Sequence, residues 1–155
     1  MFNILENTFD LNQLNCLTKK LANNSNIGDI FLLTGELGVG KTTFTRLFIN
    51  ALFEKHLMAI PDNIKSPSFP ILINYSLHKY EINHYDLYRL KNKNELIEIG
   101  ILENIKNNIT IIEWPDLIIN NFEITNYYLI KFELIDLNIR KLTIFHSRKQ
   151  KLNEF

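Results

Sequence analysis

Cysteine is nearly missing from this chain: Cys16 is the only one in 155 residues. That excludes an intrachain disulfide, leaves the thiol too isolated for a zinc site and points to a reducing compartment, so the expectation is a cytoplasmic protein. Net charge is missing too, with 17 basic against 17 acidic residues. The chain as a whole therefore lacks the surplus of positive charge that drives autonomous nucleic-acid binding, and any RNA contact is expected to be local or supplied by a partner. No window approaches the roughly 18 apolar residues of a membrane span, and no basic stretch followed by an apolar one opens the chain, so neither anchor nor leader is expected. Long like-charge blocks and low-complexity tracts are also absent. A hydrophobic fraction of 46% with 22% charged residues is instead that of an ordered globular domain. The length suits one domain spanning residues 1–155, large enough to bury a core without staples.

Glycine is scarce, and its distribution is uneven. Three of the five glycines, Gly35, Gly38 and Gly40, fall within one short segment, Gly35-Glu36-Leu37-Gly38-Val39-Gly40-Lys41-Thr42. This fits the phosphate-loop pattern G-x-x-x-x-G-K-[ST], and Thr43 adds a second hydroxyl. The context is the one such a loop requires. Before it, Asp29-Ile30-Phe31-Leu32-Leu33-Thr34 is a short apolar run of the kind found in a strand covered on both faces. After it, Phe44, Leu47, Phe48, Ala51 and Leu52 recur with helical spacing. Glycines let the backbone curl so that successive N–H groups of Gly38, Val39, Gly40, Lys41, Thr42 and Thr43 face a phosphate, aided by the positive end of the following helix. Lys41 would bridge the outer phosphates and the Thr42 hydroxyl would ligate magnesium. The expected ligands are thus ATP and Mg2+.

The rest of the chain reads as alternating elements. Asp10 and Gln13 form a capping-box-like start for a helix at about 10–23. Residues 61–70 read as a turn-rich loop able to approach a ligand, 71–76 and 80–88 as two strands, and 94–107 as two short helices broken at Gly100. Residues 108–113 read as a buried strand, and 127–135 with 140–145 as a further hairpin. Hydrolysis needs a carboxylate beside the phosphate loop. Glu113, closing an apolar strand, is the first candidate for that role and for a place in the magnesium shell. Asp86, which alternation puts on one strand face with His84 and Tyr88, is the second. Trp114 is expected near a nucleotide, near a partner or in the core. His56, His78 and His146 are expected at the surface, and the short basic tail at 148–151 in solvent. Asn92-Lys93-Asn94-Glu95 departs from the guanine-reading N-K-x-D pattern and no D-x-x-G precedes it, so adenine is the expected base.

With Ser66-Pro67-Ser68-Phe69, His84-Tyr85-Asp86-Leu87-Tyr88-Arg89-Leu90, Glu98-Ile99-Gly100 and Ile111-Ile112-Glu113-Trp114-Pro115 added to the phosphate loop, the chain resembles the TsaE family of bacterial ATPases from about residue 10 to 114. The family pattern usually has Ala where Val39 stands and Thr where Ser68 stands. The resemblance implies an α/β, P-loop NTPase-like three-layer fold with a central mixed, mostly parallel sheet, and weak ATP hydrolysis. It implies action with the TsaB and TsaD subunits, which transfer a threonylcarbamoyl group to an adenosine of ANN-decoding tRNAs; the ATPase does not perform the transfer, and meets tRNA only through the complex. It also implies Lys41 and Thr42 as phosphate and magnesium residues, Glu113 as a Walker-B-like carboxylate, Asp86 as an acidic group near magnesium and residues 66–69 as a switch-like loop. It further puts the first helix beside the adenine pocket, and Arg140 near the nucleotide. Two other readings stay open: a small-molecule kinase, for which an arginine-bearing lid is hard to place, and a nucleotide-binding adaptor without turnover.

Overall fold

A computed structural model describes residues 1–148. In chain order the elements are β1 (Phe2–Phe9), α1 (Leu11–Asn24), β2 (Ile30–Thr34), α2 (Lys41–Lys55), β3 (Leu72–Ser76) and β4 (Glu81–Asp86), then α3 (Lys93–Glu98), α4 (Ile101–Asn104), β5 (Ile109–Glu113), α5 (Asp116–Asn121), β6 (Tyr127–Leu134) and β7 (Arg140–His146). The strands form one seven-stranded sheet in the order β1-β7-β6-β2-β5-β4-β3. β6, β2, β5 and β4 are parallel neighbours. β7 and β3 run against them, and β1, antiparallel to β7, shares the direction of the central four. The sheet is therefore mixed, with five strands pointing one way.

Alternation along the central strands splits the core into two layers. Phe31 and Leu33 of β2 join Leu14, Leu17 and Leu21 of α1 and Phe44 and Phe48 of α2 on one face. Ile30 and Leu32 join Leu96 of α3, Ile101 of α4 and Ile118 of α5 on the other. Burying each such side chain stabilises the fold by about 1.5–3 kcal/mol. Phe31 ties the first layer together, its ring 4.6 Å from that of Phe48 and stacked 4.9 Å from that of Tyr128. This is the three-layer arrangement that the resemblance implies.

Most elements lie where periodicity puts them. The capping box of α1 is complete: the Gln13 N–H donates to Asp10 Oδ1 at 2.8 Å and the Asp10 N–H to Gln13 Oε1 at 2.9 Å. Gly100, at φ 63°, separates α3 from α4. Two elements escape the sequence patterns. β1 is an edge strand with mostly exposed side chains, held by its ladder to β7 and by a Lys141–Glu6 ion pair at 2.7 Å. α5 is a six-residue helix that follows Pro115 directly. One expectation is corrected: His146 is buried, not at the surface, because β7 pairs it with Tyr128 of β6, whose ring is 4.5 Å away. His78 is exposed and His56 half-buried, bonded to the Tyr80 hydroxyl at 3.0 Å. Of the basic tail, residues 149–151 lie outside the described residues.

Candidate functional site

The carboxyl ends of β2, β5 and β4 meet at one edge of the sheet, the place where open α/β sheets bind ligands. The segment between β2 and α2 leaves that edge through three glycines with positive φ: 144° at Gly35, 75° at Gly38 and 116° at Gly40. A Cβ at Gly35 would meet the Phe132 carbonyl at 2.6 Å, so the loop starts pressed against β6. A Cβ at Gly38 or Gly40 would meet nothing within 4 Å, so those two glycines face open space. Among the described residues, no group accepts from the N–H of Gly38, Gly40, Lys41, Thr42 or Thr43. A run of unpaired donors at the head of a fifteen-residue helix, around a hollow with no side chain in it, is an anion cradle in form.

Lys41 does not reach out into this hollow. Its Nζ donates to the carbonyls of Gly35 at 2.6 Å and Glu36 at 2.8 Å, and stands 3.8 Å from the centroid of the Trp114 ring. Burial lowers its pKa, and the nearby carboxylates of Glu113 and Asp86 partly oppose that. Trp114 follows β5 with φ 58°, and its N–H donates to the Leu33 carbonyl of β2 at 3.2 Å. The backbone reverses there, and the indole lies over the lysine.

The carboxylates form the floor. In the parallel β4–β5 register Asp86 lies opposite Glu113, and His84, two residues earlier, shares their face. The Thr42 hydroxyl donates to Glu113 Oε2 at 3.0 Å, while His84 Nε2 lies 2.9 Å from Glu113 Oε1. Asp86 accepts from the Ser66 hydroxyl through Oδ2 and from the Tyr88 N–H through Oδ1 at 3.1 Å. Thus the loop at 61–70 is tied to the floor by Ser66. Thr42, Glu113 and Asp86 are hard oxygen donors, the type magnesium takes when phosphates and water complete its shell.

Two hollows meet at Gly40 and Thr43. One of about 320 Å³ is lined by Gly38, Lys41, Thr42, Ser66, Asp86 and Glu113 among others. The other, of about 350 Å³, lies between the β1–α1 junction, the glycine loop and the β6–β7 turn, with Phe9, Leu14, Val39, Leu137 and Arg140 in its walls. Arg140 donates from Nε to the Val39 carbonyl at 2.8 Å and from Nη1 to the Asp136 carbonyl at 2.8 Å, so it straps the β6–β7 turn to the loop. All the residues singled out in the sequence, Gly38 through Thr43 with Asp86 and Glu113, are thus brought to one edge. Patterns along the chain did not disclose the His84–Glu113 bond, the Ser66–Asp86 bond or the second hollow, since each joins segments far apart in sequence. No helix among the described residues is long and apolar enough to cross a membrane.

Comparison with known proteins identifies a family and a shared fold. The TsaE model, described as threonylcarbamoyl adenosine biosynthesis protein TsaE, matches residues 8–143. A relative from Rickettsia felis, named tRNA threonylcarbamoyladenosine biosynthesis protein TsaE, is 38% identical over 140 residues, covering 90% of this chain and 78% of its own. One of the same name from Bacillus subtilis is 34% identical over 92 residues, 59% of this chain and 53% of its own. The crystal structure of YdiB from Bacillus subtilis superposes with a TM-score of 0.74 at 22% identity, covering 96% of this chain and 89% of that one, which is a likeness of fold. With a family match over most of its length, the chain belongs to the TsaE family of threonylcarbamoyl adenosine biosynthesis proteins.

Proposed function

We propose that this chain is a cytoplasmic ATPase that binds MgATP at the glycine loop and hydrolyses it in support of threonylcarbamoyladenosine modification of ANN-decoding tRNAs, acting with TsaB and TsaD and leaving the transfer to them. The observation that carries the ATPase reading is the row of unpaired N–H groups at Gly38 and Gly40 to Thr43 around open space, with Lys41, Thr42 and Glu113 beside it. The pathway and the partners come from family membership and the resemblance above.

In this reading the N–H groups of Gly38 and Gly40 to Thr43 hold the phosphates, the Val39 N–H being bonded to the Glu36 carbonyl at 3.3 Å, and Lys41 leaves the Gly35 and Glu36 carbonyls to meet the outer ones. Magnesium, when bound, neutralises phosphate charge and fixes the triphosphate. A bound magnesium would be held by a lone pair of the Thr42 hydroxyl oxygen, whose O–H can go on donating to Glu113 Oε2, and Glu113 would orient water of the metal's shell or the attacking water. Asp86 stands opposite across the β4–β5 ladder, and through Ser66 it links the floor to the 61–70 loop, so a change at the phosphates reaches a surface segment. The second hollow suits the base: its walls of Phe9, Leu14 and Leu137 are apolar, and it opens onto Thr43 at the cradle.

The test measures phosphate release and tRNA modification by the pure chain, alone and with TsaB, TsaD and tRNA. ATP turnover tied to threonylcarbamoyladenosine formation, lost in Lys41→Ala, is the expected result. A phosphorylated small molecule in place of free phosphate would support a kinase, and binding with no turnover in any mixture an adaptor.

A further inference from the structure

The least explained polar group near the site is His84. It is fully buried on β4, its Nε2 lies 2.9 Å from Glu113 Oε1, and its Nδ1 is buried with no hydrogen-bond partner among the described residues. Glu113 has only 2% of its surface exposed, and its two oxygens are divided between two donors, Thr42 for Oε2 and His84 for Oε1. The two donors differ in kind. Thr42 stands at the head of α2, where its hydroxyl oxygen would be shared with a bound cation. His84 comes from the sheet itself, two residues before Asp86 on the same face of β4, and is fully buried there.

We infer that His84 is a positioning residue for hydrolysis: it holds Glu113 by Oε1 so that Oε2 stays aimed at Thr42 and the phosphate loop. This rests on the ATPase reading above. The tautomer follows from the surroundings, because a proton on Nε2 gives the carboxylate a donor, whereas a proton on Nδ1 would be buried without an acceptor. Without His84, a nearly buried carboxylate oxygen would be unpaired, and the carboxylate would swing toward the Lys41 ammonium, whose charge already interacts with it. That motion would leave the nucleotide cradle intact and spoil the group that handles water. Partners that orient a ligating or catalytic carboxylate typically contribute about 10- to 100-fold to activity.

The experiment compares wild type, His84→Phe, His84→Gln and Glu113→Gln for ATP turnover, ATP affinity and melting temperature, and records the histidine ring nitrogens of the nucleotide-free protein by NMR. His84→Phe keeps the bulk and removes the donor; His84→Gln keeps a donor near the position of Nε2. The expected result is kcat about 10- to 100-fold lower in His84→Phe with KM and Kd for ATP within about threefold, and recovery of most of that loss in His84→Gln. In wild type the His84 proton sits on Nε2, and its resonance moves in Glu113→Gln. Wild-type kcat in His84→Phe, an equal loss in His84→Gln with both variants folded, or a proton on Nδ1 alone would each overturn the inference. If turnover is present in wild type and lost in Glu113→Gln, those outcomes leave the ATPase reading standing; if wild type itself turns over no ATP with its partners, both fall together.

Discussion

Lys41 lies with its ammonium 3.8 Å from the centre of the Trp114 ring while it donates to two carbonyls of its own loop. The ammonium proposed to meet a triphosphate is therefore held by the protein itself, with the indole against it. Trp114 is the only tryptophan in the chain. Adding MgATP should shift or change the intensity of its fluorescence saturably, as the ammonium leaves the ring face. In Lys41→Ala the ATP-dependent change should vanish. A flat titration of the wild type at saturating ATP would contradict the rearrangement.

Removing the charge of Glu113 separates binding from turnover. Glu113→Gln retains the side-chain shape and the capacity to accept from Thr42, so affinity for ATP should stay within a few-fold. Turnover should fall by about 100-fold or more, the scale of a lost general base or water-orienting group. Chelating magnesium should stop turnover in the wild type. Steady-state kinetics and equilibrium binding on the same preparations check both statements.

The glycines of the loop should fail in different ways. Gly35→Ala puts a Cβ 2.6 Å from the Phe132 carbonyl at φ 144°, so it should destabilise the fold by about 2–4 kcal/mol and lower the melting temperature by roughly 5–15 °C. Gly38→Ala meets no protein atom within 4 Å and bears only the strain of φ 75°, about 1–2 kcal/mol. Its methyl enters the space assigned to phosphate, so its larger effect should be on ATP affinity. Thermal melts and binding titrations of the two variants should rank them in opposite orders.

Tyr128 carries a prediction about alkaline pH. Burial, with the charge of Asp29 adding to it, pushes its phenol up to about 12 from the usual 10. The unfolded chain then releases this proton at lower pH than the folded one, so stability should fall as pH rises from about 10 to 12, by something of order 2 kcal/mol for this group. Tyr128→Phe should lose less stability over the same window, which urea unfolding at several pH values would show.

How much of this was written in the sequence depends on whether the signal is local. The glycine loop, its strand and its helix are consecutive, and each has its own pattern, so Gly35 to Thr43 could be located from spacing alone. Glu113 was legible because a charge at the end of Ile109-Thr110-Ile111-Ile112 is a break in an apolar run. β1 was not legible: Glu6 and Asn7 interrupt its apolar pattern and its order comes from the ladder to β7, a partner more than 130 residues away in the chain. The burial of His146 was hidden for the same reason, since β7 lies between β1 and β6 and pairs it with Phe2 and Tyr128. The resting place of Lys41 and the grip of His84 on Glu113 depend on side-chain directions across the sheet edge, which no one-dimensional period encodes.

ATP is expected to bind at the backbone cradle of Gly38 and Gly40 to Thr43, completed by Lys41. Isothermal titration of MgATP into the wild-type chain and into folded Lys41→Ala tests it most directly. One saturable site is expected in the wild type, and affinity at least tenfold weaker, or undetectable, in the variant. Equal binding by both proteins, or no binding by the wild type, would contradict it.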